Sequence, residues 1–377
     1  MSGDAFIPIN EPLFAGNEKA YLAECIDTGW ISSDGPFVAR FEQAFAAHAG
    51  RRHAVAVTNG SAALEAAVVA LGIGPGDEVI LPTLTIISCA SAVVRAGATP
   101  VVVDSRPGDW CMDVGAVERC ITPRTKAIMA VHLYGLPVDM QALMGVAERH
   151  GLKVIEDAAE AIGLEAGGRT CGSFGEVSCF SFYPNKHVTT GEGGMVLTDD
   201  DQVAERLRSL RNLCFQPQRR FVHEELGWNL RMSNLQAAVG LAQLERLPET
   251  RARKRALGLR YTELLSDVAE IRLPPTHSAA GDDNCYWAMA VELAESVPFD
   301  ATEAARRLAA LKVATRPFFW CMHEQPVFRK MGLFAGDSHP VAERAARRGL
   351  LLPSGVAMTD AQIDAVAERL KTALRGA

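Results

Sequence analysis

Between residues 54 and 198, short apolar runs alternate with longer amphipathic stretches, and no other feature of the chain restricts its fold as much. Strands are read at Ala54–Thr58, Glu78–Leu81, Val101–Asp104, Ala127–Leu133, Val154–Asp157, Val177–Phe182 and Gly194–Thr198. Helices are read between several of them, at Ala62–Leu71, Ser88–Ala96 and Met140–Arg149. Strands joined by helical crossovers build a mostly parallel sheet covered on both faces, so the expected class is α/β. In such sheets the reactive groups gather beyond the carboxyl ends of the strands.

After the seventh strand the pattern changes. Asn234–Arg260 reads as one amphipathic helix bridging to a second unit, in which Tyr286–Leu293 is a strand and Thr302–Leu311 a helix. A chain of 377 residues exceeds one simple core, and the expected division is a large domain over 1–247 and a smaller C-terminal α/β domain over 248–377. Lys and Arg total 38 against 45 Asp and Glu. Without a basic excess to neutralise phosphates, a nucleic-acid partner is not expected. Nine cysteines are scattered without CxxC spacing, which points to reduced thiols and to no metal site. Met1–Asn10 lacks a basic start followed by an apolar run, and no apolar stretch is long enough for a bilayer. The expectation is a soluble cytoplasmic protein with no membrane partner.

Three short segments carry chemistry. In Cys179–His187 an apolar strand ends in a polar turn holding Lys186, followed by the glycine-rich Gly191-Glu192-Gly193-Gly194. A lysine there can form a Schiff base once burial frees part of its amine from protonation, although most lysines are merely solvated. Val154–Ala161 puts Asp157 at the carboxyl end of a buried strand. That carboxylate can pair with a protonated ring nitrogen or simply cap a helix. Thr58-Asn59-Gly60-Ser61-Ala62 opens a helix with free backbone amides, a favourable place for phosphate. The same segment lacks the GxGxxG of a dinucleotide fold, which disfavours a nicotinamide-dependent dehydrogenase.

Taken in chain order, with the turn at Gly60 first, then Asp157, then Lys186, the segments resemble the aspartate-aminotransferase (type I) fold, and more narrowly the DegT/DnrJ/EryC1/StrS family of sugar aminotransferases. The resemblance runs from Gly29-Trp30-Ile31-Ser32-Ser33 into the C-terminal domain. It implies a mixed, mostly parallel seven-stranded sheet and pyridoxal 5'-phosphate (with its pyridoxamine form) as cofactor. Lys186 would be the covalent anchor and proton carrier, Asp157 the partner of the pyridine nitrogen, and Glu160 the neighbour of the phenolic oxygen, a position commonly glutamine. Gly60, Ser61, Ala62 and Ser181 would hold the phosphate. Ile86 stands where many members place an aromatic over the ring. Gly227-Trp228-Asn229 resembles the family turn whose asparagine reaches the neighbouring subunit's cofactor, which implies a homodimer with shared active sites.

For the substrate, Arg316-Pro317-Phe318-Phe319-Trp320-Cys321-Met322-His323 is the best clue, since an arginine forks onto phosphate and aromatics pack on sugar or base. It resembles the branch of the family that aminates a GDP-linked 4-ketosugar with L-glutamate, except that Cys321 replaces a proline. Trp30, Ser32, His187, Arg219, Arg316, Phe318 and His323 are the expected substrate contacts. Related activities remain open: amination of a dTDP- or UDP-linked ketone, a 3-dehydratase with histidine at the lysine position, or a regulator that retains the fold.

Overall fold

The computed structural model describes residues 5–216 and 218–375. Seven strands form one sheet: β1 (His53–Val57), β2 (Glu78–Pro82), β3 (Thr99–Val103), β4 (Thr125–Val131), β5 (Lys153–Asp157), β6 (Val177–Ser181) and β7 (Gly194–Thr198). Their order is β1-β7-β6-β5-β4-β2-β3. Neighbours from β3 to β6 are parallel, while β7 is antiparallel to both β1 and β6. The sheet is the mixed, mostly parallel one expected. Its strands were legible because their side chains are buried on both faces, which leaves unbroken apolar runs such as Val79-Ile80-Leu81.

Helices cover both faces. α1 (Glu18–Thr28) and α2 (Pro36–Ala49) precede the sheet, and α3 (Gly60–Ala70), α4 (Ile87–Arg95) and α5 (Met140–His150) are its crossovers. α3 is apolar nearly all round because it is wedged between the sheet and its neighbouring helices. α2 turns Phe41 and Phe45 onto Phe180 and Phe182 of the sheet, with Phe45 and Phe180 edge to face at 4.8 Å. Truncating one of these rings to alanine costs about 3–5 kcal/mol in a packed core.

Beyond α6 (Asp201–Arg211), the expected single helix over Asn234–Arg260 is two. α7 (Asn234–Glu245) starts with a capping box, in which the Ser233 hydroxyl accepts from the Gln236 amide and Gln236 Oε1 accepts from the Ser233 amide. α8 (Leu247–Leu265) begins afresh after Arg246, with Pro248 in its first turn. Proline has no N–H to continue the preceding helix, and that is the break. Past α8 lies an antiparallel sheet of β8 (Ile271–Arg272), β9 (Met289–Leu293), β10 (Arg316–Pro317) and β11 (Gly349–Leu352), ordered β8-β9-β11-β10. α9 (Ala301–Ala310), α10 (Pro340–Arg348) and α11 (Asp360–Arg375) surround it. β9 starts three residues later than the expected Tyr286. Tyr286 has φ of +48° and its amide is taken by Asn284 Oδ1 at 2.7 Å, so residues 284–288 are tied locally instead of joining the ladder.

Candidate active site

The carboxyl ends of β5 and β6, the start of α3 and the strand β10 enclose a cavity of about 960 Å³. Asp157 is the last residue of β5 and is 3% exposed. Its Oδ1 accepts from the Ala159 amide at 3.1 Å and its Oδ2 from the Cys89 thiol at 3.2 Å. Lys186 lies in the turn after β6, its amide donating to the Tyr183 carbonyl at 2.9 Å. Its Nζ is 3.6 Å from Glu160 Oε1 and 4.1 Å from the ring centroid of Trp287. Glu160 Oε2 accepts from the Tyr134 amide at 2.9 Å.

Burial dominates the electrostatics here. It pulls the Lys186 amine below the usual lysine range, against the opposing pull of Glu160 and Asp157. It pushes the Asp157 carboxyl up, although the Ala159 amide, the Cys89 thiol and Lys186 act the other way. Glu160 is raised by burial to about 7. The cavity thus holds an amine biased toward neutrality beside a carboxyl poised near neutral pH, a pairing suited to moving protons.

At the other end of the cavity, Asn59 caps α3 by accepting from the Ala62 amide at 2.8 Å. The Gly60 and Ser61 amides precede the first intrahelical bond and so remain open to a ligand. The Ser61 hydroxyl lies 2.6 Å from that of Ser88. Close approach of three backbones shapes this end. A Cβ on Gly194 would stand 2.4 Å from the Asn59 carbonyl oxygen, and one on Gly60 would stand 2.8 Å from Ser181 Cβ.

Gly60, Ser61, Ala62, Ile86, Asp157, Glu160, Ser181, Lys186, Arg316 and Phe318 all border this cavity. Ile86 is 39% exposed, an open aliphatic wall, whereas Phe318 is buried against Tyr134 at 4.4 Å and Trp110 at 5.1 Å. Two expected substrate contacts are elsewhere. His187 faces away from Lys186, with its Nδ1 3.0 Å from the Ile162 carbonyl and its ring pushed down to about 3 by burial. His323 is buried, with Nδ1 2.7 Å from the Thr83 hydroxyl and Nε2 3.1 Å from Glu343, so both ring nitrogens are engaged in joining the end of β2 to α10. Trp30, Ser32, Arg219 and Asn229 also lie outside the cavity wall of the single chain. Asn229 is exposed and bonds Arg231, while the Trp30 and Ser32 carbonyls accept from Asn234. Sequence reasoning missed Trp287, Tyr134 and Cys89. Trp287 arrives from the segment that enters β9, and only the aromatic pair before that strand hints at it.

Residues 13–371 match the profile of the DegT/DnrJ/EryC1/StrS aminotransferase family. A GDP-perosamine synthase of Caulobacter vibrioides is 45% identical over 375 residues, covering 99% of this chain and all of that protein. The solved aminotransferase TlmJ of Streptoalloteichus hindustanus superposes with a TM-score of 0.90 at 32% identity, covering 98% of this chain and 99% of that one. DesI, solved with its TDP-sugar product, superposes with a TM-score of 0.89 at 34% identity, covering 99% and 94%.

Proposed function

This chain belongs to the DegT/DnrJ/EryC1/StrS aminotransferase family, and from that premise we propose that it converts GDP-4-keto-6-deoxymannose to GDP-perosamine, with L-glutamate as amino donor. It is a pyridoxal-phosphate-dependent aminotransferase of nucleotide sugars. The cavity suits that cofactor on its own chemistry. The open amides of Gly60 and Ser61 fit a phosphate, the buried Asp157 carboxyl fits a ring nitrogen, and the Lys186 amine fits an aldehyde carbon. When bound, pyridoxal phosphate would supply an aldehyde carbon that accepts the amino group and an electron-withdrawing ring that acidifies the neighbouring carbon.

The residues then divide the work as follows. Lys186, held 3.6 Å from Glu160, would serve as the attachment point and as the base that takes the proton from the donor's α carbon. Glu160, 3.6 Å from Lys186 and raised by burial to about 7, would stand beside the cofactor's phenolic oxygen and could exchange a proton with Lys186. Asp157, bonded by Cys89, would hold positive charge at the cofactor's ring nitrogen. Ile86 would lie against the ring, and Ser61 with Ser181 would complete the phosphate site. Arg316, whose guanidinium has no carboxylate partner among the described residues, is a natural contact for the substrate's pyrophosphate.

The dehydratase reading has little support, because the residue in the cavity at this turn is Lys186 and its neighbour His187 points away. We further propose a cytoplasmic homodimer with shared sites. Exposed Trp30 and Ile31 lie on a segment bonded to Asn234, a few residues past Asn229. This is an apolar, asparagine-bearing surface of the kind two subunits would bury. The domain limits 1–247 and 248–377 are retained as our division, with the Arg246 break between α7 and α8 beside it.

One observation carries this reading: the Lys186 amine, the Asp157 carboxyl and the open end of α3 share one cavity, in a chain so similar throughout to a GDP-perosamine synthase. The test is glutamate-dependent amination of GDP-, dTDP- and UDP-linked 4-ketosugars side by side. A kcat/KM highest for the GDP sugar is expected. Preference for the dTDP sugar would overturn the substrate assignment and leave the aminotransferase intact.

A further inference from the structure

Lys254 sits in the middle of α8, 2% exposed, and no carboxylate pairs with it among the described residues. A lysine so placed is costly unless its hydrogens find acceptors. Two do. Its Nζ donates to the Trp287 carbonyl at 2.7 Å and to the Ser354 carbonyl at 2.6 Å. The first carbonyl belongs to the segment entering β9 and the second to the segment leaving β11, which lie side by side in the antiparallel pair, so one amine fastens the same end of both central strands of the small sheet to α8.

What this fastening serves is visible on the other side of Trp287. Its ring stands 4.1 Å from the Lys186 amine and stacks on Tyr134 with centroids 6.3 Å apart and planes 11° from parallel. The segment holding it does not rest easily. Tyr286 is at φ +48°, an unfavourable conformation for a bulky residue. Tyr286 also presses on Gly258 of α8, where a Cβ would come within 2.1 Å of its ring. The Cys285 amide is held by the Gly135 carbonyl at 3.0 Å and the Tyr286 amide by Asn284. Lys254 supplies the bond at the residue that meets Lys186.

We propose that Lys254 is a positioning residue for the reaction, holding the indole of Trp287 against the Lys186 amine from behind the pocket. The inference rests on Lys186 being the point at which the cofactor attaches. Lys254 touches neither cofactor nor substrate in this arrangement and acts through the Trp287 backbone. A wall residue displaced by about 1 Å can cost up to roughly a hundredfold in rate.

The experiment uses the cofactor-loaded enzyme and three variants: Lys254→Met, which keeps the length of the side chain without its donors, Trp287→Leu, and both together. The readouts are the visible circular dichroism of the bound cofactor, kcat and KM. Lys254→Met is expected to keep its cofactor, to change the visible dichroic band in the same sense as Trp287→Leu, and to lower kcat roughly tenfold or more with little change in KM. Adding it to Trp287→Leu should produce no further loss, because the wall it supports is already gone. An unchanged dichroic band and kcat with only a lower Tm, or losses that multiply in the double variant, would overturn the proposal. Should Lys254→Met fail to fold, Lys254→Gln, which retains a donor, gives the same comparison at smaller amplitude. Failure of the underlying reading is told apart by the parent enzyme: borohydride reduction would then leave Lys186 unlabelled, whereas failure of the Lys254 proposal leaves that labelling intact.

Discussion

Replacing Glu160 with glutamine should make the cofactor-stripped protein more stable, by an amount that depends on pH. Glu160 is buried beside Lys186, and burial raises its carboxyl from 4.5 to about 7 despite that cation. A group whose folded-state value is raised favours the fold below its unfolded value and loses that contribution as pH climbs through the folded one. The loss for Glu160 therefore develops between pH 4.5 and about 7 and is complete above it. At 1.36 kcal/mol per unit, it amounts to about 3 kcal/mol at pH 8 and roughly 1–2 kcal/mol at pH 5.5. Glutamine has no charge to desolvate and can still accept from the Tyr134 amide, as Glu160 does at 2.9 Å. With roughly 2.1 cal/mol/K of unfolding entropy per residue, 377 residues give about 0.8 kcal/mol/K. Glu160→Gln should then raise Tm by about 4 °C at pH 8 and about 2 °C at pH 5.5. Differential scanning calorimetry across this range decides it. A gain equal at both pH values, or a loss at pH 8, would refute the argument that desolvation outweighs the Lys186 attraction.

Asp157→Asn should lower kcat roughly 10²- to 10³-fold by removing a buried charge from the reacting system. Because burial already disfavours the Asp157 carboxylate, Tm should not fall with it, which calorimetry beside steady-state kinetics will check. His323→Phe removes the contacts to Thr83 and Glu343 and should cost about 1–3 kcal/mol of stability while leaving KM for the sugar nucleotide unchanged. A raised KM would return His323 to the substrate. Arg51→Met strips donors from the Ser173, Gly175 and Glu176 carbonyls and breaks the 3.0 Å pair with Asp199. About 3 kcal/mol of stability should go, measured as a shift of the urea midpoint, with kcat retained in the folded fraction.

The large sheet was legible because burial on both faces writes each strand as an apolar run, and because Asn59 and Asp157 mark strand ends where helices or turns begin. The reading failed where tertiary contacts override local pattern. The amphipathic rhythm across residue 246 continues through a proline that ends one helix and starts another. Tyr286 and Trp287 have the composition of a strand, yet their backbone is taken by Asn284 and Lys254. His323 is expected in the pocket from its place near Arg316, but it lies in a single helical turn, Met322–Glu324, that carries its ring to Thr83 and Glu343. Trp287 reaches Lys186 across about a hundred residues of sequence, a meeting that no periodicity encodes.

The reaction depends on one nitrogen atom, the Nζ of Lys186. Borohydride reduction of the yellow, cofactor-loaded enzyme, followed by digestion and mass mapping, reads it directly. A single reduced pyridoxyl adduct is expected on the peptide that contains Lys186, absent in Lys186→Ala. An adduct on another lysine, or none on an enzyme that still aminates its sugar, would contradict it.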